Sequence, residues 1–221
     1  MNLRIEKNKI LYALFFPALF IIILWLILLV ENLWGANLSH LGIYPRKITG
    51  LCGIITSPLI HADVKHLFSN SIPLLVLSWC LLYFYKDLGY IVFPILWILS
   101  GIFTWFLGRE SWHIGASGLT FSLSFFLFFS GIYRRYIPLM AVSMIVVFLY
   151  GSTVWSMFPV TEIIDPSISW EGHLSGAISG LLCAFIFRKD GPQNPESEEE
   201  EDEDEDDKYE NETDEVIPSS T

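Results

Sequence analysis

Six apolar stretches dominate the pattern of hydrophobic and polar positions along the chain. They lie at residues 10–30, 65–85, 89–107, 116–132, 137–157 and 171–187. A helix that crosses a bilayer core of about 30 Å needs about 20 predominantly apolar residues, and these stretches approach that length. The pattern therefore predicts an all-α membrane protein, a bundle of six transmembrane helices within residues 10–188.

Charge divides the chain into a membrane domain and an acidic tail. Residues 189–221 carry sixteen acidic and two basic side chains, whereas residues 1–188 carry a net charge of +3. A segment so rich in charge cannot bury a core, so we expect a disordered tail, and the sequence names no partner for it. Residues 1–9 are basic and are predicted to form a short cytoplasmic N-terminus.

Basic residues also predict the orientation in the membrane. With the N-terminus in the cytoplasm, nine Lys and Arg residues fall on the cytoplasmic side and four on the outer side. This excess, together with the even number of spans, predicts that both termini are cytoplasmic. The first stretch is longer than the core of a signal peptide and no cleavage site follows it, so we expect a retained helix. The lack of a targeting presequence favours a prokaryotic plasma membrane.

Four polar side chains lie near the starts of the second, fourth and sixth apolar stretches. His66 and Asn70 are four residues apart, on one face of a helix. Ser117 and His173 begin the fourth and sixth stretches, and helical rise places all four at a similar depth below the outer surface. Polar groups at such a depth normally face the bundle interior or a water-filled cavity.

Their chemistry fits nucleophilic catalysis. Gly176 and Gly180 follow His173 at a spacing that lets two helices approach closely, and packing on residues 115–118 would bring His173 to Ser117. Ser117 would then attack a carbonyl carbon while His173 takes its proton. Because no carboxylate is placed to orient the histidine, the sequence predicts a Ser–His dyad.

Each feature also has a structural interpretation. Residues 115–118 can be a close-packing patch, and His66 with Asn70 can be a hydrogen-bonded pair between helices. His40 and His113 are interpreted as interfacial loop residues without a role. The residues alone leave a transporter or a chaperone-like scaffold open beside an enzyme. A transporter has less support, because the chain has no paired repeats and no pair of interrupted helices.

At these positions the sequence resembles the rhomboid intramembrane serine proteases. Three patterns carry the resemblance over most of residues 10–188. The first is a series of two histidines and an asparagine, His61, His66 and Asn70. The other two are the GxSG motif of Gly115, Ala116, Ser117 and Gly118, and the HxxGxxxG motif of His173, Gly176 and Gly180.

The resemblance implies a function for each of these residues. Ser117 would be the nucleophile and His173 the base, with His66 and Asn70 assisting the oxyanion. Gly115 and Gly118 would allow a tight turn and close packing. Phe121 stands one turn after the serine, where the family often has a tyrosine, so a hydroxyl contact to the base is lost.

We therefore expect a protease that cleaves transmembrane segments of single-pass membrane proteins. Its partners would be those substrates and the lipid bilayer, with no nucleic acid, no metal and no cofactor. The alternative is a non-proteolytic, rhomboid-like scaffold that binds membrane helices for quality control.

Overall fold

The computed structural model describes residues 3–149, 155–159 and 169–193, and helices dominate these ranges. No β-strand occurs among the described residues, where a single isolated antiparallel bridge joins Ile43 to His113. Residues 150–154 of the fifth apolar stretch and residues 194–221 of the acidic tail lie outside the described part. The expectation of an all-helical chain is confirmed within these limits.

Seven α-helices occur among the described residues. In chain order they are α1 (Leu3–Trp34), α2 (Gly53–Thr56), α3 (Val64–Tyr85), α4 (Asp87–Leu107), α5 (Ser117–Tyr133), α6 (Ile137–Leu149) and α7 (Trp170–Ile186). Short 3-10 helices cover Ser39–Leu41, Ile48–Gly50 and Ser57–Leu59. Helices α3, α4, α5 and α7 match four predicted stretches to within about two residues at each end. Helix α1 is longer than expected, because it includes the basic residues before the apolar run.

In the part of the chain that the structure describes, three helices are long and apolar enough to cross a membrane, namely α1, α3 and α4. Helix α5 is apolar but has only 17 residues, which corresponds to about 25 Å at 1.5 Å per residue. The apolar faces of α1 stay exposed, with side chains such as Phe15 and Leu26 more than half accessible. An apolar surface of this kind is suited to lipid, where exposed hydrocarbon costs nothing.

Helix α5 is the centre of the bundle. Its core positions Leu119, Leu123 and Phe126 are fully or almost fully buried. It packs most extensively on α7 and also contacts α3, α4 and α6. The first residue of α5 is Ser117, so the central helix carries the predicted nucleophile at its N-terminal end.

The long connection between α1 and α3 has structure of its own. Its short helices pack against α4, where the indole N–H of Trp97 donates to the carbonyl of Ile54 at 3.2 Å. Trp105 likewise donates to the carbonyl of Lys47 at 3.1 Å. These bonds hold the connection at the same end of the bundle as Ser117.

At the opposite end of the bundle, Arg134 directly follows α5 and contacts a residue of α3 and residues just after α7. Its guanidinium donates to the Tyr85 hydroxyl at 2.9 Å and to the carbonyls of Phe187 and Asp190. The last carbonyls of a helix have no partner within it, so Arg134 caps the end of α7. The contact ties α3, α5 and α7 together away from the predicted dyad.

Candidate active site

The turn before α5 depends on Gly115. Its φ of +107° lies in the region that side chains rarely adopt, and a Cβ there would lie 2.7 Å from the His66 ring. The Gly115 N–H donates to the carbonyl of Ser57 at 2.9 Å, and the Ala116 N–H donates to His61 Nε2 at 3.3 Å. The loop before α3 thus holds the turn that presents Ser117.

Helix α7 approaches α5 through its glycines. A Cβ on Gly176 would lie 2.1 Å from the Gly118 carbonyl oxygen, and one on Gly180 would lie 2.3 Å from that of Ser122. The Ser122 hydroxyl in turn donates to the Gly176 carbonyl at 3.0 Å. Only glycine permits this contact between backbones, which matches the expected packing of residues 115–118 on α7.

This packing brings Ser117 and His173 together. His173 Nε2 lies 2.9 Å from Ser117 Oγ, within hydrogen-bonding distance. The Phe121 ring stacks on the imidazole with centroids 4.6 Å apart and planes 20° apart. His173 is 6% exposed, so its ring is confined by α5 on one face. A nucleophile and a base at this distance can transfer a proton directly.

The second nitrogen of His173 meets a residue that the sequence did not reveal. Nδ1 lies 2.6 Å from Ser156 Oγ and 3.2 Å from the Ser156 carbonyl oxygen. Ser156 is buried and belongs to the described segment 155–159, between α6 and α7. It lies near the end of the fifth apolar stretch, which contains other serines, so only the tertiary fold identifies it.

His61, His66 and Asn70 lie on the side of the turn opposite α7. The rings of His61 and His66 pack edge to face with centroids 5.1 Å apart. The Asn70 amide donates to the His66 carbonyl at 3.0 Å, one turn back on its own helix. This bond uses one of the two N–H donors of the Asn70 amide.

Glu171 lies two residues before His173 but contacts Arg109 instead. Its carboxylate is 3% exposed, lies 3.6 Å from the Arg109 guanidinium, and accepts the Arg109 backbone N–H at 3.3 Å. The pair fastens the loop between α4 and α5 to the start of α7. Among the described residues, the His173 ring therefore has hydroxyls and a carbonyl as hydrogen-bonding partners and no carboxylate.

The interpretation of His113 as an interfacial residue without a role was wrong. The side chain is 4% exposed, and Nδ1 lies 2.5 Å from Ser169 Oγ while Nε2 lies 3.0 Å from the Arg109 carbonyl. Burial lowers the pKa of His113, an effect that the hydrogen bond to the Arg109 carbonyl and the charge of Glu171 partly oppose. Ser169 caps α7, because its Oγ accepts the Gly172 N–H. His113 therefore joins the loop between α4 and α5 to the start of α7.

A small cavity lies beside Ser117, between α4, the loop before α5 and the start of α7. Its volume is about 30 Å³. Polar side chains contribute to its lining, among them Ser57, Ser100, Thr104 and Ser169. By volume and polarity it can hold one or two water molecules next to the serine.

Comparison with known proteins agrees with the motifs. Residues 49–190 match the family model of the Rhomboid domain. Uncharacterised proteins of Mycobacterium tuberculosis and Mycobacterium bovis are 37% identical over 173 residues, which cover 76% of this chain and 72% of theirs. One of Mycobacterium leprae is 35% identical over 174 residues, covering 76% and 68%. With its apolar helices and this match across most of its length, the chain is an integral membrane protein that belongs to the rhomboid family.

Proposed function

We propose that this protein is an intramembrane serine endopeptidase that cleaves transmembrane segments of single-pass membrane proteins. The observation that supports this best is the 2.9 Å separation between His173 Nε2 and Ser117 Oγ. The serine lies at the N-terminus of the central helix, where backbone N–H groups lack partners within the helix. Family membership adds weight, because rhomboid proteins are usually proteases of this type.

In the first half of the reaction, Ser117 Oγ forms a bond to the carbonyl carbon of the scissile peptide. Its proton passes to His173 Nε2, and the carbonyl electrons move onto oxygen. The Ser117 backbone N–H, with His66 and Asn70, would stabilise that oxyanion. The Asn70 amide would donate through its second N–H, beside the one that the His66 carbonyl accepts in this structure.

The intermediate collapses when the carbon–nitrogen bond breaks. His173 returns its proton to the leaving amine, which leaves an acyl group on Ser117. A water molecule then gives a proton to His173 while its oxygen attacks the ester carbon. The bond from that carbon to Ser117 Oγ breaks, and Oγ takes the proton back from His173, which releases the new carboxyl terminus and restores both residues. The polar cavity beside Ser117 is a suitable source of that water.

The same proposal includes the topology. Six spans within residues 10–188 and cytoplasmic termini follow from the apolar stretches and from the excess of basic residues on one side. Residues 1–9 and the acidic segment 189–221 would then be cytoplasmic. The mycobacterial relatives support a prokaryotic plasma membrane as the location.

Substrates of such an enzyme should have weak helices near the cleavage site. A peptide bond in a stable transmembrane helix is shielded by its own hydrogen bonds. Glycine, proline and small residues lower the cost of opening the helix locally, so segments that contain them should be preferred.

The test uses purified full-length protein in liposomes with a fluorophosphonate probe, which labels activated serines. Labelling of the native chain should be lost in both Ser117→Ala and His173→Ala, with a decrease of several powers of ten in cleavage rate. Ser69→Ala, at an exposed serine of α3, is the control and should label like the native chain. Folding of each variant is checked by thermal unfolding.

Absence of labelling in a folded native chain, with a control protease labelled in parallel, would contradict the proposal. The non-proteolytic scaffold would then be the better interpretation. Its binding of membrane helices should survive Ser117→Ala.

A further inference from the structure

Both ring nitrogens of His173 have partners. Nε2 lies 2.9 Å from Ser117 Oγ, so it must be unprotonated if it is to accept the proton of that hydroxyl. The neutral imidazole then carries its hydrogen on Nδ1. Among the described residues, the groups within reach of that hydrogen both belong to Ser156, the hydroxyl at 2.6 Å and the carbonyl at 3.2 Å.

The tautomer is therefore determined by what accepts the Nδ1 hydrogen. In triad enzymes this acceptor is a carboxylate, which orients the ring and stabilises its charged form. Glu171, two residues before His173, is held instead by Arg109. The hydroxyl is the closer of the two acceptors, and the stacked Phe121 ring prevents the imidazole from tilting away from it.

We propose that Ser156 is a positioning residue, which accepts the Nδ1 hydrogen of His173 through its side chain and so holds Nε2 towards Ser117. The chain of contacts is then Ser117, His173, Ser156, with a neutral hydroxyl in the place of a carboxylate. The inference rests on the proposed proteolytic function. It assigns to the segment between α6 and α7 a part in catalysis, because Ser156 is supplied by neither α5 nor α7.

The geometry also explains why the contact matters during the reaction. When His173 takes the serine proton, the ring becomes positively charged, and the Nδ1–H bond to the hydroxyl becomes charge-assisted. Hydrogen bonds to charged groups contribute about 1.5–3 kcal/mol, which corresponds to roughly tenfold to a hundredfold in rate. Because the carbonyl remains as a second acceptor when the side chain is removed, the lower part of this range is expected.

The test compares four full-length chains in liposomes, the native one with Ser156→Ala, Ser156→Thr and Ser156→Val. Threonine and valine have nearly the same shape, but only threonine keeps the hydroxyl. Fluorophosphonate labelling and the kcat of cleavage should fall about tenfold in the alanine and valine chains, while KM stays unchanged. The threonine chain should stay within about threefold of the native rate.

A second measurement does not depend on activity. Nitrogen-15 NMR of histidine-labelled protein in detergent distinguishes the two tautomers, and His173→Ala identifies the signal of that ring. The native chain and Ser156→Thr should show His173 with its hydrogen on Nδ1. Ser156→Ala and Ser156→Val should show a mixture of tautomers or a broadened signal.

The two measurements separate failure of this inference from failure of the proposed function. Equal labelling of the native and Ser156→Ala chains, with the native tautomer kept in both, would overturn the role of Ser156 and leave the protease intact. Equal losses of labelling and kcat in the threonine and valine chains would show that side-chain volume at position 156 matters and the hydroxyl does not. That result would also overturn the role of Ser156. An unreactive native chain whose tautomer still depends on Ser156 would support the positioning and contradict the protease.

Discussion

The carbonyl oxygen of Gly118 lies 2.1 Å from the point where a Cβ on Gly176 would be. The backbones of α5 and α7 are therefore in contact, at the residue next to Ser117 on α5 and about one turn after His173 on α7. Any side chain at position 176 must move the two helices apart. The distance between Ser117 and His173 depends on this contact, because each residue lies on one of the two helices.

Gly176→Ala should therefore lower both stability and reactivity. Overpacking costs about 1–3 kcal/mol in well-packed cores, and a backbone neighbour cannot rotate away as a side chain can. We expect a decrease of several degrees in Tm in detergent and a loss of fluorophosphonate labelling.

The control for Gly176→Ala is Ile178→Phe, which adds volume on the exposed side of the same helix. It should leave both quantities close to native. Native labelling in a stable Gly176→Ala chain would show that the dyad does not depend on this helix contact.

Phe121 should act on His173 through its ring face. The rings are nearly parallel at 4.6 Å, and aromatic pairs of this kind contribute about 0.5–1.5 kcal/mol beyond the area they bury. Phe121→Leu should therefore reduce labelling roughly threefold to tenfold. Phe121→Tyr keeps the ring and should stay within about twofold of native. A leucine variant as reactive as the tyrosine variant would show that the stacking is unimportant.

Any side chain at position 115 should be unfavourable for two reasons, backbone strain and a steric clash, and these can be tested separately. Alanine at this position would combine an unfavourable φ of +107° with a contact of 2.7 Å to the His66 ring. Gly35→Ala is the matched control, because Gly35 also has a positive φ, +61°, but no atom within 4 Å. Strain of a non-glycine residue at positive φ costs about 1–2 kcal/mol.

We expect Gly35→Ala to lose only a few degrees in Tm and to keep its labelling. Gly115→Ala should lose labelling as well, since the turn that presents Ser117 must move. The result that contradicts this explanation is equal behaviour of the two variants in both assays.

Much of this arrangement was predictable because it depends on local features of the chain. Apolar length determines where membrane helices lie, and glycine spacing determines where two of them can touch. Ser117, His173 and Gly176 follow from these two rules together with helical rise, and the resemblance to the rhomboid family was confirmed. Their catalytic roles stay a prediction, as do the six spans and the cytoplasmic termini.

The features that sequence reasoning missed all depend on contacts between distant segments. Ser156 meets His173 from another part of the chain, and it is one of three serines in the fifth apolar stretch, so the sequence does not single it out. Arg134 looked like a cytoplasmic surface charge, yet it is buried and caps α7. His113 looked like a loop residue, and its contact with Ser169, which joins its loop to the start of α7, could not be predicted without the fold.

The ion pair between Glu171 and Arg109 also joins this loop to α7, and it can be tested by mutation. Glu171→Gln keeps the size of the side chain but removes the buried charge that pairs with Arg109. Because the Arg109 side chain is 41% exposed, solvent screens the pair, and we expect a loss of roughly 1 kcal/mol, a few degrees in Tm. Limited proteolysis within residues 108–116 should become faster.

Glu110→Gln is the control for Glu171→Gln. Glu110 is exposed and directly follows Arg109 in the loop between α4 and α5, so this variant removes a nearby charge that is not buried. It should change neither Tm nor proteolysis. Equal effects of the two variants would indicate that the loop responds to net charge alone and not to the buried pair.

The two buried histidines outside the long helices predict loss of stability in mild acid. Burial, with a further contribution from the charge of His66, lowers the pKa of His61 to about 3, and burial also lowers that of His113. Between their ordinary value of about 6.5 and these lower values, the unfolded chain binds protons that the folded chain does not. Stability should therefore be complete above about pH 6.5 and fall as the pH decreases below it. For one histidine the loss approaches about 1.4 kcal/mol per pH unit.

His61→Gln tests this without removing the acceptor for the Ala116 N–H, since the glutamine carbonyl can take the place of Nε2. The decrease in Tm between pH 7 and pH 5.5, measured in detergent, should be smaller in this variant than in the native chain. Carboxylates contribute little in that range, because their ordinary pKa values lie near 4. His40→Gln, at an exposed position, should keep the native slope. If His61→Gln kept the full native slope, the acid sensitivity would have another origin and the burial of His61 would not account for it.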